Sequence, residues 1–172
     1  MNDKRMASLS KLGYLCNCFW LLVPILVFNL LFMRRLPPAY QMDIFWRDIP
    51  KVVSVPENLF RTLVMILPIF MRLQFSTPHQ KLGLGLYLTG LLCYFASWVA
   101  LIAAPWSSWS MSAIGFLAPA YTPIVWLAGI GLIGDTLQFS RVTFRPWIYW
   151  GMSGLFLAFH NLHAFVVYSR GI

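Results

Sequence analysis

Charge is what this sequence has least of: Asp, Glu, Lys and Arg make up 10% of its 172 residues, against about 25% in a soluble domain. With 59% hydrophobic residues and a mean hydropathy of +0.69, that scarcity assigns the chain to a bilayer. Cysteine is scarce as well, at three residues. Cys16 and Cys18 form a CxC pair, but in a helix they point roughly 200° apart and cannot jointly clamp a metal. With Cys93 as the only other cysteine, neither a zinc site nor a disulfide framework can be built, so no metal site is assigned. HExxH, a nucleophile elbow and paired-carboxylate spacing are all missing, so the sequence names no reaction and leaves open whether the protein is an enzyme. No inverted repeat suggests transport machinery. Gly129, Gly131 and Gly134 spell GxGxxG before Asp135, yet they close a membrane helix and lack the strand that a dinucleotide site requires.

What is present is a series of long apolar runs. The chain reads as all-α, a single transmembrane helical domain over 1–172 with helices at about 12–33, 55–75, 78–104, 111–134 and 147–168. The first run follows Lys4, Arg5 and Lys11 but is too long for a signal peptide and ends in Arg34 and Arg35, so it is expected to be retained. Pro24 should kink it toward protein, on the face of Asn17. Thr77, Pro78 and Gln80 announce the start of the third helix as N-cap, first-turn proline and capping-box partner. Gly83, Gly90, Ser97 and Ala104 recur every seven residues along it and leave a smooth stripe for another helix. Pro119 and Pro123 should bend the fourth.

The helix expected at 55–75 is the equivocal one. Ser54 and Glu57 read as a capping box and Glu57 with Arg61 as an i,i+4 ion pair. Only 62–71 is free of charge, which suits an interfacial or re-entrant helix, whereas arginines at both ends can snorkel to the headgroups and allow a crossing. Helix length favours five crossings, and the distribution of basic residues favours four. Five is the expectation taken forward.

The ionisable chemistry at membrane depth is concentrated in the last helix. Polar groups there are costly and mark functional positions more often than in water. Tyr149, Ser153, His160 and His163 fall on one side with Phe156, while Gly151, Gly154, Ala158 and Asn161 fall on nearly the opposite one. The first stripe suits a polar cavity or ligand, and the second suits close helix contact. His160 and His163 at i,i+3 can both reach one metal ion, but no acidic side chain is evidently at their depth to complete a site, and no cofactor is assigned. Glu57 and Asp135 are the candidate acid–base groups.

The net charge of +8 is spread over helix ends, where anionic lipid headgroups explain it without nucleic acid. Most of the tryptophans also fall near segment ends, as in an interfacial belt. The expectation is therefore an integral membrane protein, in a bacterial inner membrane, that binds or carries a small hydrophobic or amphipathic molecule. The alternatives are a membrane-embedded enzyme and an accessory or scaffold subunit, with a homo-oligomer or another membrane protein as partner.

Overall fold

The computed structural model describes residues 16–138 and 145–171, and the Lys4, Arg5, Lys11 start of the first run falls outside them. Seven α-helices follow in order: α1 (Val23–Phe32), α2 (Met42–Phe45), α3 (Lys51–Ile66), α4 (Pro78–Ala103), α5 (Ala113–Tyr121), α6 (Pro123–Ile133) and α7 (Pro146–Tyr168). No strand occurs among the described residues, only two isolated bridges. The architecture is an all-α helix bundle.

Four helical segments are long and apolar enough to cross a bilayer: Cys18–Arg35, Lys51–Ile69, Pro78–Ala103 and Ala113–Ile133. The equivocal helix is thus one of the four. It is α7, 23 residues long, that falls short of a crossing in hydropathy, because His160, Asn161 and His163 dilute its apolar run. The outward surface of the bundle supports the membrane assignment independently. Leu30 is 71% exposed and Leu92 71%, and Val52, Leu59, Leu88 and Ile124 also face outward. Apolar surface this continuous is unfavourable in water and neutral against lipid.

Several local expectations need correction. The helix expected at 55–75 starts at Lys51 behind Pro50, without a side-chain cap, and ends in a 3-10 turn at Leu67–Ile69. Ser54 is therefore inside the helix and caps nothing. Glu57 shares the buried side of α3 with Val53 and Val64, so it turns inward. Pro24 does not kink a continuous helix either. A 3-10 turn at Cys18–Leu21, capped by the Asn17 side chain on the Phe19 amide, ends at Leu22, and Pro24 occupies the first turn of α1 with its ring exposed. A first-turn proline removes no helical hydrogen bond. By contrast, Pro119 and Pro123 act as their spacing implies, since the helix breaks at Thr122 between α5 and α6.

The core forms along two seams. In the first, α4 packs most extensively against α6. A Cβ added at Gly83 would fall 2.8 Å from Leu132 Cβ and 2.9 Å from the Gly129 carbonyl oxygen, and one at Gly90 would collide with the Trp126 backbone. The small-residue stripe of α4 is what lets these backbones approach. Gly129 and Gly131, two of the GxGxxG glycines, make room for the Tyr87 backbone and the Trp150 indole. The second seam joins α3 to α7. One end of the bundle is stitched by main-chain hydrogen bonds: Cys18 N donates to Met71 O at 2.9 Å, Arg72 N to Thr136 O at 2.9 Å and Gln138 N to Phe70 O at 2.9 Å. Thr77 and Gln80 form the expected capping box at the start of α4.

Candidate functional site

Glu57 is 0% exposed in the α3–α7 seam, and both of its oxygens are engaged. Oε1 accepts from Arg61 one turn on, as the i,i+4 spacing implies, and is 2.8 Å from Nδ1 of His160. Oε2 is 2.5 Å from Nδ1 of His163. The sequence reading found no carboxylate at the depth of the two histidines; the inward turn of Glu57 puts one between them. Its place on the apolar stripe of α3, in register with Val53 and Val64, is the signal that capping-box logic overrode.

The proton inventory follows from the partners. His163 Nε2 is 2.9 Å from the Phe45 carbonyl, which only accepts, so Nε2 carries a hydrogen. The 2.5 Å approach of Nδ1 to Glu57 Oε2 cannot join two lone pairs. One more proton therefore lies on that line, on nitrogen or on oxygen. His163 is also held by rings, stacked on Phe45 with centroids 4.2 Å apart and edge-on to Trp46 at 4.6 Å. Arg61 reaches over Trp46, its guanidinium carbon 5.3 Å from the ring centre. The short helix α2 and Trp46 just beyond it are thus tied to α3 and α7 through one carboxylate.

His160 stands at the boundary between this cluster and a cavity of about 420 Å³. With Nδ1 donating to Glu57, the neutral ring has a lone pair on Nε2, which makes no hydrogen bond to any described residue. The cavity is walled by α1, the 36–46 segment, α3, α4, the α5–α6 break and α7. Its surface is mainly apolar and aromatic, with Phe28, Phe45, Trp98, Trp126 and Phe156 among its walls. Arg61 and Asn29 add polar groups. The Tyr94 hydroxyl donates to Asn29 Oδ1 at 2.8 Å, joining α4 to α1. The Tyr40 hydroxyl donates to the Phe116 carbonyl, and burial pushes its pKa above the ordinary range, so it keeps that proton. Trp126 is buried against the cavity with no hydrogen-bond partner for its indole N–H among the described residues. Trp98 Nε1 lies against the Tyr94 hydroxyl without the geometry of a hydrogen bond.

The stripe read on the last helix divides in two. His160 lines the cavity and His163 lies behind it in the cluster. Tyr149 and Ser153 are buried elsewhere in the core, outside the cavity wall, and neither Tyr149 OH nor Ser153 Oγ has a hydrogen-bond partner among the described residues. The opposite stripe is not a close helix contact: Gly151, Gly154 and Ala158 are exposed, with nothing within 4 Å of a Cβ built on either glycine. Asn161 alone on that side finds a neighbouring helix, donating to the Ala120 carbonyl at 3.0 Å. Asp135 is at the stitched end, accepting from Gln80 Nε2 at 3.2 Å, and does not join the histidines. Sequence reasoning missed Arg61 as a cavity group and placed the tryptophans in an interfacial belt. Trp126 faces the interior because it packs on Gly90 across the glycine seam, and Trp98 because its ring meets Tyr40 and Tyr94, pairings that periodicity within one helix does not reveal.

Fold and site together define an integral-membrane helix bundle with a carboxylate-bridged histidine cluster beside an apolar cavity. The chain matches no protein-family model, no curated protein and no solved structure.

Proposed function

We propose that this protein binds a small amphipathic molecule in the cavity between α1, α4 and α7. The observation that carries the reading is the cavity itself. At about 420 Å³ it falls within the roughly 300–1,000 Å³ of small-molecule sites, which are mostly apolar with a few placed polar groups. His160 supplies such a group, fixed in tautomer and orientation by Glu57. Native mass spectrometry of the protein in mild detergent tests the reading. A discrete added mass retained by the natural sequence and lost in Ala120→Trp, which fills the cavity from its wall, is the expected result; a uniformly ligand-free spectrum, even after incubation with lipid extract, refutes it.

A second reading, a membrane enzyme, has one specific observation in its favour. A carboxylate on Nδ1 and an open Nε2 is the orienter-and-base arrangement of general-base catalysis. It predicts that Glu57→Gln retains the bound mass while abolishing turnover. Pure binding predicts instead that the function follows occupancy alone.

A further inference from the structure

We infer that the molecule taken by this cavity is an amphipathic anion, a single carboxylate or phosphate head on an apolar tail. This rests on the binding reading above and specifies the head.

Hydrogen-bonding capacity in the wall is lopsided. Guanidinium and indole groups only donate, and Arg61, Trp98 and Trp126 all line the cavity. The two tyrosine hydroxyls of the wall spend their protons on Phe116 O and Asn29 Oδ1 and keep only weak neutral acceptor lone pairs, so the head preference is set by the charged donor, Arg61, rather than by the number of donors. No described Asp, Glu, Ser or Thr lines the cavity. His160 Nε2 is the one imidazole acceptor left among the described residues of the wall.

Charge points the same way. Glu57 cannot neutralise everything around it. One carboxylate is set against the Arg61 guanidinium and the additional proton held between Glu57 Oε2 and His163 Nδ1, which leaves the cluster one positive charge in excess whichever atom holds that proton. Trp126 adds a buried donor with no partner, the kind of group that costs stability until a ligand satisfies it. A positive excess beside a mainly apolar cavity is likewise relieved by an anion. The aromatic and aliphatic remainder of the wall receives the tail.

The test compares heads on one tail. Decanoate, decyl phosphate, decanol and decylamine are titrated into the purified full chain in mild detergent, and occupancy is read by native mass spectrometry. Decanoate or decyl phosphate should bind with one-to-one stoichiometry about tenfold or more tighter than decanol, the scale of a charge-assisted hydrogen bond, and decylamine should not compete. Trp126→Phe, which keeps an aromatic side chain but removes the donor, should weaken the anion several-fold more than it weakens decanol. Arg61→Lys should retain the head preference and Arg61→Met should abolish it. Whichever anion binds tighter distinguishes a carboxylate from a phosphate source, and either supports the inference. Equal binding of decanol and decanoate, or preference for decylamine, overturns the anion while leaving the cavity a binding site. Failure of all four probes to give a discrete complex overturns both readings together.

Discussion

The two seams of this bundle solve the same problem by opposite means. Along α4 and α6 the helices meet through glycines, with Gly83 against Gly129 and Gly90 against Trp126, so that backbone approaches backbone and dispersion does the joining. Along α3 and α7 they meet through Glu57, His160 and His163, joined by hydrogen bonds from both imidazoles to the one buried carboxylate. Lipid tails are as apolar as leucine, so hydrophobicity cannot hold either seam. The first seam gives close packing and no chemistry. The second is looser, opens onto the cavity, and concentrates the charge.

The sharpest way to break the comparison is to remove the carboxylate. Glu57→Leu leaves the buried imidazole of His163, the half-buried one of His160 and the Arg61 guanidinium without their shared carboxylate, and breaking a buried ionic group costs about 3–5 kcal/mol. Thermal unfolding in detergent should show a large loss of Tm, with α2 and Trp46 released first because both are tied to the cluster. If Glu57→Leu unfolds at the temperature of the natural sequence, the polar seam holds nothing together. Gly90→Ala tests the other seam at a somewhat smaller scale. A methyl there meets the Trp126 backbone rather than a flexible side-chain end, so overpacking should cost about 1–3 kcal/mol. Gly85→Ala on the same helix, with nothing within 4 Å, serves as the internal control and should lose nothing.

The same division explains what was legible in the sequence. The glycine seam was legible because its signal is local: small residues every seven positions on one helix, and two prolines one turn apart on the next. The polar seam was half legible. His160 and His163 stood out as ionisable groups in an apolar run, and Glu57 with Arg61 as an i,i+4 pair. Their convergence was hidden because it depends on the depth of α3, and a helix with arginines at both ends fits either an interfacial or a spanning position by composition alone. The cavity was not legible. Its walls come from α1, α3, α4, the α5–α6 break and α7, and no pattern inside one segment reports a gap among several. The small face of α7 was misread for a related reason: spacing shows which residues share a side, not whether a helix covers it.

Trp126→Phe sharpens the contrast on a finer scale. Deleting a polar atom from a satisfied network is costly, but the Trp126 N–H has no partner among the described residues. Removing an orphaned buried donor relieves up to about 1 kcal/mol of unmet desolvation, which partly offsets the void that the smaller phenyl ring leaves where Trp126 is 2% exposed. The ligand-free variant should therefore lose less Tm than the void alone would cost, even though its anion binding falls. A drop beyond the cost of that void would mean that the N–H has a partner, and the donors of the cavity would have to be counted without it.

The smallest effect belongs to the side of α7 that joins neither seam. Gly151 and Gly154 face outward with open space where a Cβ would be, and glycine within a helix costs roughly 0.5–1 kcal/mol relative to alanine. Gly151→Ala and Gly154→Ala should each raise Tm slightly and leave subunit number in detergent unchanged, because no described residue of the chain approaches that surface. The opposite result is equally informative. If alanine at these positions reduces the subunit number or releases a co-purifying membrane protein, then a helix from another chain occupies the space, and the small face of α7 is a third seam of the glycine kind, made between molecules.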